Sequence, residues 1–473
     1  MDAGSALHWL ALVEHELLLF AGFFFLLGAL DEFAMDCAWL WLRFTGRANT
    51  PVLRRRDLCG NPLKGRAAVF IPAWQEESVI AHTLRHALAV WPQEELRIYV
   101  GTYRNDPATL AAAAHGAGGD HRVRLVVYDR DGPTTKADCL NRLYQALQQD
   151  ERREGHEARF VLLQDAEDMV DPAGLVLLDR AIGPDEADAQ FVQLPVMPVP
   201  QRASRWVGSH YCEEFAESHG KAMVVRGALG ASLPAAGVSC AFERQMLARI
   251  AAGEIGTGAG NGPFDADSLT EDYELGMKVA ALGGRSKFLR VRGEDGQLVA
   301  TRAYFPTRLG PAVRQKARWM HGIALQGWDR LGWTGGAGEW WMRVRDRRGP
   351  LSALVLCAGY TLMIVALLVA ALDLAGYAVP WQPSALLFAV ISLNIASFAW
   401  RAFMRFAFTR AEYGWAEGLR AVLRIPVANV IAIMAGYRAL FAYSRTLRGE
   451  QPRWEKTVHD GHPSRPAMLE PAE

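Results

Sequence analysis

The sequence predicts an α/β domain, an open parallel sheet with helices on both faces, set between α-helical membrane segments. Three observations lead there. Short apolar strands alternate with amphipathic stretches from residue 66 to about residue 195. Long apolar runs lie toward both ends of the chain, and arginines gather where those runs meet the charged middle. The chain's 473 residues allow two or three domains, and Lys+Arg and Asp+Glu are both 51, so no net field draws nucleic acid. The cysteines, Cys37, Cys59, Cys139, Cys212, Cys240 and Cys357, form no CxxC pair and no metal-ligand spacing. They indicate neither a disulfide framework nor a zinc site, and fit a reducing compartment.

The first apolar run, residues 17–30, follows Glu14 and Glu16 and has no small-residue cleavage site after it, so residues 1–45 read as an uncleaved anchor. Asp31, Glu32 and Asp36 interrupt it. The segment is therefore either a span with a polar face or a short span plus an interfacial turn. Basic residues after it (Arg43, Arg47, Arg54, Arg55, Arg56) and before the next run (Arg343, Arg345, Arg347, Arg348) assign the insert, residues 46–345, to the cytosol. Two spans are expected at 351–374 and 385–408. The stretch 418–443 has arginines at both ends, so a straight crossing would break the charge rule; an interfacial or re-entrant segment broken at Pro426 is expected instead. Residues 346–444 then form the membrane domain and residues 445–473 a polar tail, disordered from Gln451 onward.

Within the insert the strands are AAVFIP, RIYVGT, VRLVVY, RFVLLQD and AQFVQLP, with helices at 76–91, 107–115 and 136–149. In such sheets ligands bind beyond the carboxyl ends of the strands. That edge carries Trp74, Gln75 and Glu76, then Arg104, Asn105 and Asp106, then the loop ending at Lys136, then the QDAED stretch at 164–168. No GxGxxG follows the first strand and no GxxxxGK[ST] occurs, so dinucleotide and P-loop binding are unsupported. A crevice lined by Glu76, Asp106, Asp165 and Glu167 would repel an anion unless a divalent cation bridged them. Hard oxygen ligands suit Mg²⁺ or Mn²⁺ bound together with substrate phosphates, which points to a nucleotide diphosphate.

Taken singly, each piece is ordinary. QDAED is a solvated turn, Asp106 a helix start, Lys136 a surface lysine, and Thr270 an N-cap with Glu271 and Asp272 in the first turn. Gln315, Arg318 and Trp319 fall on neighbouring turns of one face of an amphipathic helix suited to the membrane surface.

The ordered series PAWQEE, YRNDPAT, GPTTKADCLN, QDAEDMVDP, TEDYELG and QKARWMHGIALQGW, followed by apolar spans, resembles the membrane-integrated family 2 glycosyltransferases, which include cellulose and hyaluronan synthases. Within them it looks like the bacteriophage N4 adsorption protein B group. The resemblance covers about residues 66–328. It implies a GT-A, Rossmann-like fold and an inverting, metal-dependent transfer of a hexosyl or N-acetylhexosaminyl group from a UDP-sugar. The acceptor it implies is a growing polysaccharide at the bacterial inner membrane, with coupled export.

By that resemblance Pro72, Glu76 and Asp106 hold the nucleotide, Lys136 faces its phosphates, and Asp165 lies near the nucleotide with Glu167 on the metal. Asp165-Ala166-Glu167 departs from the family's DxD, which leaves Glu167 and Asp168 as competing ligands. Asp272 becomes the general base, and Gln315, Arg318 and Trp319 sit by the acceptor and diphosphate. One such base suffices for inversion, while a double displacement would need a further carboxylate that the sequence does not exclude. Residues 236–242 resemble the family's Gly-containing acceptor loop, and on their own read as a loop before a helix at Glu243. The implied partners are a glycan or lipid-linked acceptor, membrane lipids, and, since three spans are few for a channel, an outer-envelope export partner or a homo-oligomer. No cyclic-dinucleotide domain is expected after Arg448. The rival readings are single transfer to a lipid carrier and an inactive membrane receptor or scaffold; retention of Asp165, Asp272, Gln315, Arg318 and Trp319 speaks against the second.

Overall fold

The computed structural model describes residues 3–184, 188–254, 262–377, 384–450 and 461–464. In chain order its strands are β1 (Val52–Leu53), β2 (Ala67–Pro72), β3 (Leu96–Tyr103), β4 (Val123–Tyr128), β5 (Phe160–Leu163), β6 (Phe191–Gln193), β7 (Val196–Pro198), β8 (Cys240–Glu243), β9 (Ser286–Phe288), β10 (Arg292–Gly293) and β11 (Thr301–Ala303). Seven of them form one sheet in the order β4-β3-β2-β5-β8-β6-β9, while β1 pairs with β10 and β7 with β11 outside it. The two-residue period of β2 divides its side chains cleanly. Val69 and Ile71 join one core with Ile80 and Leu84 of the helix Ile80–Val90 and Leu175 and Leu178 of the helix Gly174–Ala181. Ala68 and Phe70 join another with Leu140, Leu143 and Leu147 of the helix Lys136–Glu154. Both faces are thus covered, which is why these strands read as unbroken apolar runs.

The expected parallel sheet is found only in part. β4, β3, β2 and β5 are parallel, but β8 lies antiparallel between β5 and β6, with Leu163 opposite Cys240. Residues 240–242, read as loop, are therefore part of an interior strand of the sheet. Too short to show a period, CAFE carried no strand signal of its own.

The helix expected from residue 76 begins at Ile80, because Gln75 takes a left-handed φ of 54° and the chain stays a loop through Glu76. The helix Lys136–Glu154 starts on a capping box formed by Thr135 and Asp138. Thr270, expected to cap Glu271–Ala281, makes no side-chain capping bond. Its methyl and hydroxyl instead press against Gly322, where a Cβ would fall 2.5 Å from Oγ1.

Among the described residues, four helices are long and apolar enough to cross a membrane. The first, Ala3–Phe44, is uninterrupted, so no turn follows Leu30. Its acids lie where it meets the α/β domain. Asp31 and Glu32 pair with Arg345 and Arg348, and Asp36 accepts from Lys221 Nζ at 2.5 Å and from Trp400 Nε1 at 2.8 Å. The second and third are Gly349–Leu374 and Ala385–Tyr413. The stretch from 418 is two helices, Trp415–Leu423 and Ile425–Thr446, and Pro426 begins the second instead of breaking it, as suits a residue without an N–H. Of the polar tail, Arg445 and Thr446 end the last helix, and within the part expected to be disordered His462 is buried, with Nε2 3.3 Å from the Asp168 carbonyl oxygen. The rest of that expectation, at 451–460 and 465–473, lies outside the described residues.

Lys221 (2% exposed) lies among Asp36 (0% exposed), Glu217 and Glu32, tying the first crossing helix to the domain. Lys221→Met should cost about 3 kcal/mol, as removal of one partner from a buried ion cluster does. The check is the denaturation midpoint of the detergent-solubilised protein; an unchanged midpoint would mean the cluster contributes nothing.

Candidate active site

A cleft enclosing about 670 Å³, its open mouth included, lies at the carboxyl edge of β2, β3 and β5. It is lined by the ends of those strands and by one face of the helix Leu309–Met320. Each strand end supplies a loop whose backbone is held by side chains. After β2, Gln75 N–H donates to Asp106 Oδ2 at 2.6 Å and Glu76 N–H to Thr109 Oγ1 at 2.9 Å, so Glu76 is fixed at the cleft wall. After β5, Asp165 N–H donates to Asp168 Oδ2 at 2.7 Å, closing the QDAED turn. Between β4 and the helix at Lys136, Tyr103 and Thr134 hydroxyls meet at 2.8 Å.

Of the residues singled out in the sequence, Pro72, Glu76, Lys136, Asp165, Glu167, Gln315 and Arg318 line this one cleft. Asp106, Trp319 and Asp272 are not among its lining residues. Asp106 caps the helix Pro107–Ala117 and holds the Gln75 loop, so its two oxygens serve the wall on which Glu76 stands. Trp319 turns into an aromatic group with Tyr211, Phe215 and Phe305, their ring centroids 6.1–6.5 Å from its own. Asp272 stands behind the loop at Gly237. That glycine has φ 78°, and a Cβ there would fall 2.3 Å from Asp272 Oδ2 and 3.6 Å from Lys136 Nζ. The close approach requires glycine.

Charge organises the cleft around Lys136. Its ammonium donates to Asp165 Oδ1 at 2.5 Å. Burial works against that charge, yet Asp165, Glu271 and Asp272 together hold the lysine's pKa above its ordinary value. The acids respond in kind. Burial raises Asp272, although Lys136 offsets part of the rise, and Glu271 is pushed up to about 7 by burial and by Asp272. Asp168 is also raised, by burial and by its neighbours Asp165 and Glu167. Gln315 Oε1 is buried and makes no hydrogen bond among the described residues, which leaves an acceptor for an arriving donor group.

For a divalent cation the fit is partial and chemically consistent. Asp165 and Glu167 both face the cleft with hard oxygens, and Lys136 already sets a positive charge against one of them. No cluster of three or more His, Cys, Asp or Glu ligands occurs among the described residues, so further ligands would be diphosphate oxygens and water.

Several lining residues escaped the sequence reading of function. Tyr103, Thr134 and Cys139 face the cleft beside Lys136. Trp74, noted only as one of the residues following the first strand, meets Tyr103 edge-on with ring centroids 5.1 Å apart. Glu271 read as first-turn decoration, and it is burial, with Asp272 beside it, that raises its pKa. An aromatic residue after a strand is the signal that could have found Trp74; nothing local marked Cys139.

Residues 65–322 match the family described as glycosyltransferase like family 2. The chain is 32% identical over 463 residues to bacteriophage adsorption protein B of Escherichia coli K12, and to the same extent to bacteriophage N4 adsorption protein B of Escherichia coli O157:H7. These matches cover 92% of this chain and 60% of each relative, so the chain spans about three fifths of the curated relatives' length. Among solved structures it is similar to a mannosyltransferase from Pyrobaculum calidifontis in complex with GDP-Man and Mn²⁺, at 16% identity and a TM-score of 0.48, over 88% of this chain and 99% of that one. At that distance the likeness fixes neither donor nor metal. The matched segment takes in more than half of the chain and every motif that builds the cleft: the chain belongs to the family 2 glycosyltransferases.

Proposed function

We propose that this cleft transfers a sugar, with inversion, from a nucleotide-diphosphate donor, UDP-sugar by the motif series, to a glycan acceptor at the inner membrane. The observation that carries the reading is the convergence of Lys136, Asp165, Glu167, Gln315 and Arg318 on one cleft, with Asp272 next to Lys136. In this reading Asp272 takes the proton of the acceptor hydroxyl as its oxygen bonds to the anomeric carbon. The bond from that carbon to the diphosphate breaks, and its electron pair stays on the phosphate oxygen. Burial favours the protonated form of Asp272, which strengthens it as a base over an ordinary carboxylate.

Arg318 offers the planar donor fork suited to diphosphate, and Lys136 adds a second cation; both lower the cost of the leaving charge. Glu76 and the Trp74 ring make the wall for ribose and base. Mg²⁺ or Mn²⁺ held by Asp165 and Glu167 would neutralise the diphosphate. Glu167 is favoured over Asp168 because Asp168 is spent closing the Asp165 turn and is not a lining residue. Orientation of the cleft to the cytosol rests on the arginines flanking the crossing helices.

Incubation of the purified membrane-reconstituted protein with a panel of UDP-sugars should release free UDP only with Mg²⁺ or Mn²⁺ present. Asp272→Asn should reduce turnover by about 10²–10⁴-fold, the usual contribution of a positioned base. Full turnover in that variant, or turnover in chelator, would remove the mechanism.

Glu271 yields a second test. Its folded pKa of about 7 exceeds its ordinary value of 4.5, so on raising the pH the unfolded chain gives up this proton first. The fold therefore loses stability as pH climbs between those values, and stays penalised above them. Glu271→Gln should raise the melting temperature more at pH 8 than at pH 5; an equal gain at both would show that Glu271 is not held protonated.

A further inference from the structure

The polar tail places one buried histidine behind the cleft, and no step of the proposed transfer uses it. His462 is 1% exposed, while Gly461 and Pro463 beside it are partly buried and Ser464 is exposed. Burying an imidazole is costly unless its nitrogens find partners. Here both do. The Ser464 N–H donates to Nδ1 at 3.1 Å, and the Ser464 hydroxyl lies 2.6 Å from the same atom. Nδ1 is therefore an acceptor, which leaves the ring proton on Nε2. Nε2 donates it to the Asp168 carbonyl oxygen at 3.3 Å.

That carbonyl belongs to a row. The backbone from Ala166 to Asp171 runs past the helix Ile80–Val90, where side chains take its carbonyls in turn. The Thr83 hydroxyl donates to Ala166, His86 Nε2 to Val170 at 2.9 Å, and Trp91 Nε1 to Asp171 at 3.0 Å. The Asp168 carbonyl lies within this row, but its donor is 294 residues away in sequence. The His462 ring rests beside that of His82 on the same helix, their centroids 6.2 Å apart. Gly461 faces the Tyr304 ring, which a Cβ would meet at 3.9 Å. Tyr304 follows β11 and precedes Phe305 of the Trp319 group. Residues 461–464 thus bridge the turn after β5 and the connection that leads to the helix bearing Gln315 and Arg318.

Asp168 is the point on which the site turn is closed. Its Oδ2 takes the Asp165 N–H at 2.7 Å, and its own N–H reaches the Asp165 carbonyl at 3.3 Å. A rotation of the Asp168 peptide is therefore passed to Asp165 and Glu167 together.

We propose that His462 is a positioning residue for the transfer: by holding the Asp168 carbonyl it sets the turn that presents Asp165 and Glu167 to a divalent cation bound with the donor diphosphate. The proposal rests on the reading of those two acids as the cation's ligands. Groups that hold a ligand's own support commonly change metal affinity by about 10–100-fold when removed.

The test is cation affinity, measured without turnover. Full-length detergent-solubilised protein is titrated with Mn²⁺ in the presence of UDP, and free Mn²⁺ is counted by its paramagnetic resonance signal. His462→Phe, which keeps a ring against His82 but has no N–H, should weaken Mn²⁺ binding by about tenfold. His462→Gln, whose amide N–H can reach the same carbonyl, should restore most of it. Loss of binding to the same extent in both variants would show that the N–H is not what matters and would overturn the proposal. So would a lowered melting temperature in His462→Phe with unaltered Mn²⁺ affinity, which would make His462 a packing residue. Glu167→Gln separates the two levels of the reading. If it loses Mn²⁺ while His462→Phe binds as the wild type does, the positioning role alone falls; if Glu167→Gln binds undiminished, or the wild type binds no Mn²⁺ with UDP, the ligand assignment falls and the positioning role with it.

Discussion

The ion pair between Lys136 and Asp165 is the constraint on which the rest of the site depends. Three acids, Asp165, Glu271 and Asp272, converge on this largely buried ammonium, and taking the lysine so far out of water would be costly without them. The converse holds as well, because without the lysine only Arg318 would oppose Glu271 and Asp272. The lysine is placed by its helix start, which the Thr135 and Asp138 capping box fixes, and by Gly237, which lets the Asp272 carboxylate approach from the far side. Backbone geometry at two points therefore determines the electrostatics of the whole cleft.

The same dependence extends to the membrane. One wall of the cleft belongs to the sheet, but Gln315 and Arg318 stand on a helix that also packs against Ile425–Thr446 through Ala317, Ala435 and Ala439. Small residues at that contact bring the two helices close, so a displacement of one is passed to the other. The first crossing helix is locked to the domain separately, through Asp31, Glu32 and Asp36 and the cations that meet them. The domain is thus held on two sides, by charge at one and by close apolar packing at the other.

Much of this was legible in the sequence, for identifiable reasons. β2, β3, β4 and β5 are apolar, bounded by turn residues and separated by amphipathic helices, so their order and the edge that holds the site could be read directly. Lys136, Asp165, Glu167, Gln315 and Arg318 followed from that edge and from the order of the motifs. What escaped was set by tertiary contact. The strand character of Cys240–Glu243 comes from pairing on both sides, with β5 and β6. Gln75 bends left-handed because Asp106 captures its N–H, and the two positions are 31 residues apart. Trp319 is diverted from the cleft by Tyr211, Phe215 and Phe305, none of which belongs to a motif.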